Sequence, residues 1–152
     1  MSTKFTRGAA SESTPLNVLL ETAREWIERT ILAQLPGLGF TGITAPHLRL
    51  FSNLACGVTS ASDVARAMGI TRQAVNKTVK EMEAEGYLTL APDPERRNAK
   101  NIVMTARGGA LAIAARELLA EAEAQLAGKV GDAAYRQFAQ VLRADWGATA
   151  GD

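Results

Sequence analysis

Gly69-Ile70-Thr71-Arg72-Gln73-Ala74-Val75-Asn76-Lys77-Thr78-Val79-Lys80 is a turn running into a helix with two faces. Ala74, Val75, Val79 and Met82 recur at the spacing of a buried helical stripe. The opposite face carries Arg72, Gln73, Asn76, Lys77 and Lys80, and no carboxylate interrupts it before Glu81. A helix with a donor-rich face is what the DNA major groove admits and can be read by. An ordinary solvated helix has the same pattern, so the neighbouring segments must decide between the two.

Upstream, Ser60 with Asp63 three residues on is a helix-start signal, and Val64, Ala65 and Met68 follow at inward spacing. Gly69 ends that helix, because glycine accepts the left-handed conformation past a C-cap. Thr71 caps the next one. Two short helices joined by a tight glycine-containing turn make a helix-turn-helix. Downstream, Gly86 stops the second helix and Tyr87-Leu88-Thr89-Leu90 alternates as a strand. Pro92-Asp93-Pro94 turns the chain, and Asn101-Ile102-Val103-Met104 returns. The resulting hairpin has a basic tip, Arg96-Arg97-Asn98-Ala99-Lys100.

Long helices flank this centre. Thr14 and Pro15 open the first, whose stripe is Leu16, Leu20, Ala23, Ile27, Ile31 and Leu35, widened by Leu19 and Trp26. Twenty-one helical residues span roughly 32 Å, long for a chain of this size. So wide an apolar face at one end of the chain suggests a second copy. Gly37, Gly39 and Gly42 match the spacing of a dinucleotide-binding loop, but a helix precedes them where a strand is needed, so they read as a plain loop. Thr44 caps a helix from Ala45 to Leu54 that turns Leu48, Phe51 and Leu54 inward. Thr105 caps an alanine-rich helix to about Gly128, with Leu111, Ala115, Leu118, Ala122 and Leu126 in register; Gly108-Gly109 either weakens its first turn or admits a close neighbour. Gly131-Asp132 starts a last helix with Tyr135, Phe138, Val141, Leu142 and Trp146 apolar.

Composition narrows the function classes. The 152 residues are 47% hydrophobic and only 5% aromatic, which calls for an aliphatic, mainly helical core. Net charge is +1, yet Ser62 to Lys80 holds four basic residues against Asp63 alone, while Gly108 to Asp152 is net acidic. A basic centre can bind phosphates without a basic whole. One cysteine, Cys56, excludes an intramolecular disulfide. It ends the second helix with no basic residue near it in sequence, and is expected to be buried and inert rather than an oxidant sensor. His47 is the sole histidine, so no metal site is expected, and no cofactor or catalytic set is either. No membrane span or signal peptide is visible, and a cytoplasmic protein is expected.

Taken in order, these patterns resemble the MarR-type winged helix-turn-helix transcriptional regulators from about Leu16 to Trp146. Ile43-Thr44 with Phe51 and Leu54 resembles that family's helix before the motif. Ser62-Asp63-Val64-Ala65 with Met68-Gly69-Ile70 resembles its first motif helix. Thr71 to Glu85, then Gly86-Tyr87-Leu88, resembles its recognition helix and the exit into the wing. Asp93-Pro94 and Arg97, then Ile102, Met104, Thr105 and Gly108, resemble its wing and the start of its long dimerisation helix.

The resemblance implies a mainly α fold, a winged helix-turn-helix with a small β-hairpin wing and a helical dimerisation region from the N- and C-terminal helices. The expected divisions are a flexible tail (1–14), a dimerisation helix and loop (15–42), the DNA-binding region (43–104) and C-terminal dimerisation helices (105–152), intertwined with a second copy. It implies a homodimeric repressor on a near-palindromic operator of double-stranded DNA. Recognition helix 71–85 would enter the major groove, and wing 93–101 would reach the minor groove or backbone. The DNA-contacting set is then Ser62, Thr71, Arg72, Gln73, Asn76, Lys77, Lys80, Arg96, Arg97 and Lys100. Relatives often place a small-molecule effector, commonly an aromatic acid or phenolic compound, between dimerisation and DNA-binding parts. Trp26, His47 and Phe51 are the candidates here. The wing departs from the family's usual Asp-Arg-Arg: this chain has Arg96-Arg97-Asn98, so the aspartate that would orient the wing arginine is missing, and the wing is expected either to be more mobile or to be held by Asp93 or Glu95 instead. The alternatives are a thiol-based redox regulator acting through Cys56 and a winged-helix module that binds protein.

Overall fold

The chain enters its first helix, α1 (Leu16–Gln34), with Pro15 at the N-cap position and no side-chain cap, in place of the expected Thr14. The computed structural model describes residues 11–147; the first ten residues of the expected tail lie outside it. A 3-10 turn, Leu35–Leu38, follows α1. Of the predicted α1 stripe only Ile31 and Leu35 are buried, and Leu16 is 59% exposed. Among the described residues the N-terminal half of the helix is largely uncovered, with Leu16, Val18 and Leu19 exposed.

The centre is α2 (Ala45–Ala55), α3 (Ala61–Met68) and α4 (Arg72–Ala84), then β1 (Leu88–Pro92) and β2 (Lys100–Met104). The strands pair antiparallel, with Leu88 opposite Met104 and Pro92 opposite Lys100. Pro92 therefore closes the strand rather than turning the chain, and its missing N–H is tolerated at a strand end. The Ile102 N–H also donates to the Thr59 carbonyl at 2.9 Å, and Ser60 bridges to Asn101, so the segment before α3 lies along β2 as a short third rung. The last helices are α5 (Ala106–Val130) and α6 (Asp132–Arg143). No helix among the described residues is long and apolar enough to cross a membrane.

Leu48, Leu50, Phe51 and Leu54 of α2 meet Val64, Val75, Val79 and Met82 from the motif helices and Leu111 and Leu118 from α5. Tyr87 sits among them, with the Phe51 ring edge-on at 6.5 Å. Ala74, expected in the α4 stripe, is exposed: Val75, Val79 and Met82 already fill the contact with α2, and Ala74 falls beside it. On α5 the buried positions are Gly108, Leu111, Ala114, Leu118 and Ala122. Leu126 is only partly buried, and Ala114 faces inward more fully than Ala115.

The joint between wing and α5 rests on hydrogen bonds and a missing side chain. Thr105 Oγ1 accepts the Gly108 N–H at 3.1 Å and donates to the Gly86 carbonyl at 2.6 Å. A Cβ on Gly108 would stand 2.0 Å from the Tyr87 carbonyl oxygen. Close approach, of the two alternatives for Gly108-Gly109, is therefore what Gly108 provides. Arg107 closes the same joint, donating to the Glu85 carbonyl at 2.6 Å and lying over the Tyr87 ring.

Candidate nucleic-acid interface

The presentation of α4 begins at its turn. Gly69 adopts φ +64°, the Ile70 N–H returns to the Ala65 carbonyl at 3.1 Å, and Thr71 Oγ1 accepts the Ala74 N–H at 3.1 Å. Val75, Val79 and Met82 clamp one face into the core. The other face is thereby committed outward, and Thr71, Arg72, Gln73, Asn76, Lys77 and Lys80 are all exposed. Thr71, Gln73, Asn76, Lys77 and Lys80 line one shallow concavity, together with Glu81. Arg72 lies outside that concavity, and Ser62 is exposed on α3. Among the described residues Arg72, Gln73, Asn76 and Lys80 have no side-chain hydrogen bond or ion pair, so their donors are free for a ligand.

The wing tip is held by Asp93, one of the two carboxylates expected to serve. Its Oδ1 accepts the Glu95 and Arg96 N–H groups at 2.8 and 3.2 Å, and its Oδ2 stands 3.9 Å from Arg96 Nε. Asn98 takes φ +64°, a left-handed conformation that asparagine tolerates far better than arginine would. The altered triplet thus makes a tight turn in which Arg96 is tied back. Arg97 and Lys100 stay exposed and unpaired among the described residues. At the wing base, a hydrogen bond from Ser60 holds the Asp63 carboxyl below its usual range, with Arg66 and Arg96 adding to the effect.

The three effector candidates do not converge. Phe51 borders a cavity of about 370 Å³ with Cys56, Ile113 and Arg116. Trp26 lies under Lys129, 5.5 Å from the ring centre, and His47 bonds to Glu81; neither lines that cavity. A larger open cavity, about 670 Å³, lies between α1, α2, α3 and the C-terminal helices. Ile27, Leu48, Met68, Leu119 and Phe138 give it apolar walls, and Arg24 and Arg49 stand at its side. Arg49 donates to both Glu28 carboxylate oxygens at 2.6 and 2.9 Å. That hydrogen bond, opposed by burial, holds the Glu28 carboxyl below its ordinary value.

Cys56 corrects the expectation of a buried thiol: it is exposed. It is the C-cap of α2, and the chain turns away at Gly57, φ +86°, leaving the side chain outside the helix contact. The fold also brings Arg116, sixty positions on, to the same cavity. Nothing in the local sequence signals that approach, nor the pairs His47–Glu81 and Glu28–Arg49.

A model of the MarR family matches residues 41–97, the helix-turn-helix and the first strand of the wing. An HTH-type transcriptional repressor of Mycobacterium tuberculosis (strain ATCC 25618 / H37Rv) is 27% identical over 132 residues, 87% of this chain and 94% of the repressor. Wild-type MarR of E. coli, in its apo form, superposes with a TM-score of 0.71 at 16% identity, covering 87% of this chain and 97% of its own. A Mycobacterium tuberculosis MarR family protein in complex with p-aminosalicylic acid gives 0.64 at 26% identity, covering 85% and 96%. Motif, hairpin and long flanking helices agree with these likenesses: residues 41–97 match the MarR family, and the chain shares the winged helix-turn-helix fold of MarR.

Proposed function

We propose that the chain is a homodimeric, ligand-responsive repressor that reads a near-palindromic operator. The observation that carries this reading is the set of exposed donors on α4, Arg72, Gln73, Asn76 and Lys80, unpaired among the described residues, beside the equally unpaired Arg97 and Lys100 of the wing. Gln73 and Asn76 lie on one face and can each pair bidentately with adenine; Arg72 or Lys77 can read guanine. Lys80, a turn later, suits a phosphate, and Arg97 is the wing's groove-reaching residue. Dimerisation is supported by α6, an apolar-faced helix with none of its residues buried. It would make 15–42 and 105–152 the shared helical region around two copies of 43–104.

The effector would occupy the 670 Å³ cavity, whose apolar walls suit an aromatic ring and whose Arg49 would exchange its Glu28 partner for the ligand's acid group. The p-aminosalicylic acid bound by the mycobacterial relative is of that class. A ligand favouring a spacing of the two α4 helices that the operator does not fit lowers operator affinity by its differential binding. A second reading, a thiol switch at Cys56, is favoured by that residue's exposure beside Arg116. Cys56→Ser with an undiminished peroxide response dismisses it.

Selection of genomic DNA with the purified protein tests the main reading. It should return half-sites about one helical turn, roughly 34 Å, apart. Absent or salt-insensitive DNA binding would instead favour a protein-binding winged helix.

A further inference from the structure

His47 is the one buried polar side chain among the described residues, 8% exposed. Its Nδ1 accepts the Thr44 N–H at 3.2 Å and completes the capping box that starts α2. When one imidazole nitrogen accepts, the other is left to donate, so Nε2–H points to Glu81 Oε2 at 3.2 Å. The second Glu81 oxygen, Oε1, stands 3.9 Å from Lys77 Nζ. A chain of contacts therefore runs from the buried first turn of α2 to an ammonium on the face of α4 that lines the concavity.

The lysine–glutamate pair would hold little alone. Lysine four residues before glutamate is the weaker order on a helix, and both side chains are well exposed. The buried imidazole changes this by restricting the carboxylate, which becomes a fixed counter-charge.

We propose that His47 is a positioning residue for DNA reading: it anchors Glu81, and Glu81 holds the Lys77 ammonium over the recognition face and away from indiscriminate phosphate contact. The inference rests on α4 entering the groove. A lysine free to neutralise any phosphate adds affinity for every sequence. One tethered at a fixed point contributes where the DNA meets it, and so raises the ratio of cognate to random binding.

Glu81→Gln keeps an acceptor for His47 and removes the charge. Binding to random DNA should tighten several-fold, the slope of log K against log salt should steepen by about 0.9, and the cognate-to-random ratio should fall. In a Lys77→Ala background the same substitution should leave the slope unchanged, because no ammonium remains to be released. His47→Ala removes the donor to Glu81 without adding a charge, and should steepen the slope as Glu81→Gln does. His47→Gln carries both an acceptor for Thr44 and a donor for Glu81 and should keep the wild-type slope. If His47→Ala fails to fold, the Glu81→Gln pair of measurements decides. An unchanged slope in Glu81→Gln, or the same change with and without Lys77, overturns the positioning role while leaving DNA reading intact. Wild-type protein without salt-dependent DNA binding overturns both.

Discussion

Gly108 and Gly109 are adjacent in α5, yet a methyl group would have opposite effects at the two positions. At Gly108 it would strike the Tyr87 carbonyl oxygen, a backbone atom held at the base of the wing; at Gly109 it would meet nothing within 4 Å. Gly108→Ala should therefore cost about 1–3 kcal/mol despite alanine's better helix propensity. Gly109→Ala should stabilise by about 0.5–1 kcal/mol. Urea denaturation of both proteins checks the pair, and equal effects would refute the close approach. On the DNA face, chemistry divides the residues by what each loss would look like. Lys80→Ala should weaken binding to all sequences and flatten the salt slope by about one. Gln73→Ala or Asn76→Ala should cost about 1–3 kcal/mol on the cognate site and less on random DNA. A sequence-dependent loss for Lys80, or equal losses for the other two on both DNAs, would reverse the assignment. These residues were legible as surface donors because one turn of helix decides which face they share. The partners of Lys77 and Glu81 were not, since His47 lies 34 positions from Glu81.

At the scale of elements, the capped helices follow from contacts within four residues. Ser60, Thr71 and Thr105 each accept an N–H from three residues on. Contacts between elements have no such local signature. Glu28 of α1 and Arg49 of α2 are the clearest case, a bidentate pair on the wall of the large cavity. Glu28 is held below its usual carboxylate value of 4.5. A depressed folded pKa contributes stability that is present above the unfolded value and lost as pH falls through the folded one. As pH falls below 4.5 the wild type should accordingly lose more stability than Glu28→Gln, whose acid limb is shallower by this contribution. Parallel acid limbs in chemical denaturation would remove the pair from the pH response. The wing is mixed in the same way. The hairpin and its basic tip were readable, and Asp93 was one of two carboxylates the altered triplet left open. The choice between them needed the turn in three dimensions, where Asp93 reaches two backbone N–H groups.

For the whole molecule, the telling feature is apolar surface left uncovered among the described residues. Leu16 and Leu19 on α1, Ile113 on α5, and Phe138, Val141 and Leu142 on α6 are all exposed. A charge placed there should spare the monomer's own core and oppose association. Val141→Glu, 59% exposed in the single chain, should sediment as a folded monomer and lose more than about tenfold in operator affinity, since one recognition helix would then bind without its linked partner. A dimer that survives this change with full affinity would place the interface elsewhere.

The order of residues alone was enough for the helix-turn-helix, its caps, the hairpin and the outward set from Thr71 to Lys80. Each of those depends on neighbours within a turn of helix or across one tight turn. Only the tertiary structure decided that Cys56 is exposed, that Phe51 borders a cavity from which Trp26 and His47 are absent, and that Glu28 meets Arg49. Such contacts depend on where separate elements come to rest against a common core. Periodicity records which face of an element is buried, but not which side chain will stand opposite it.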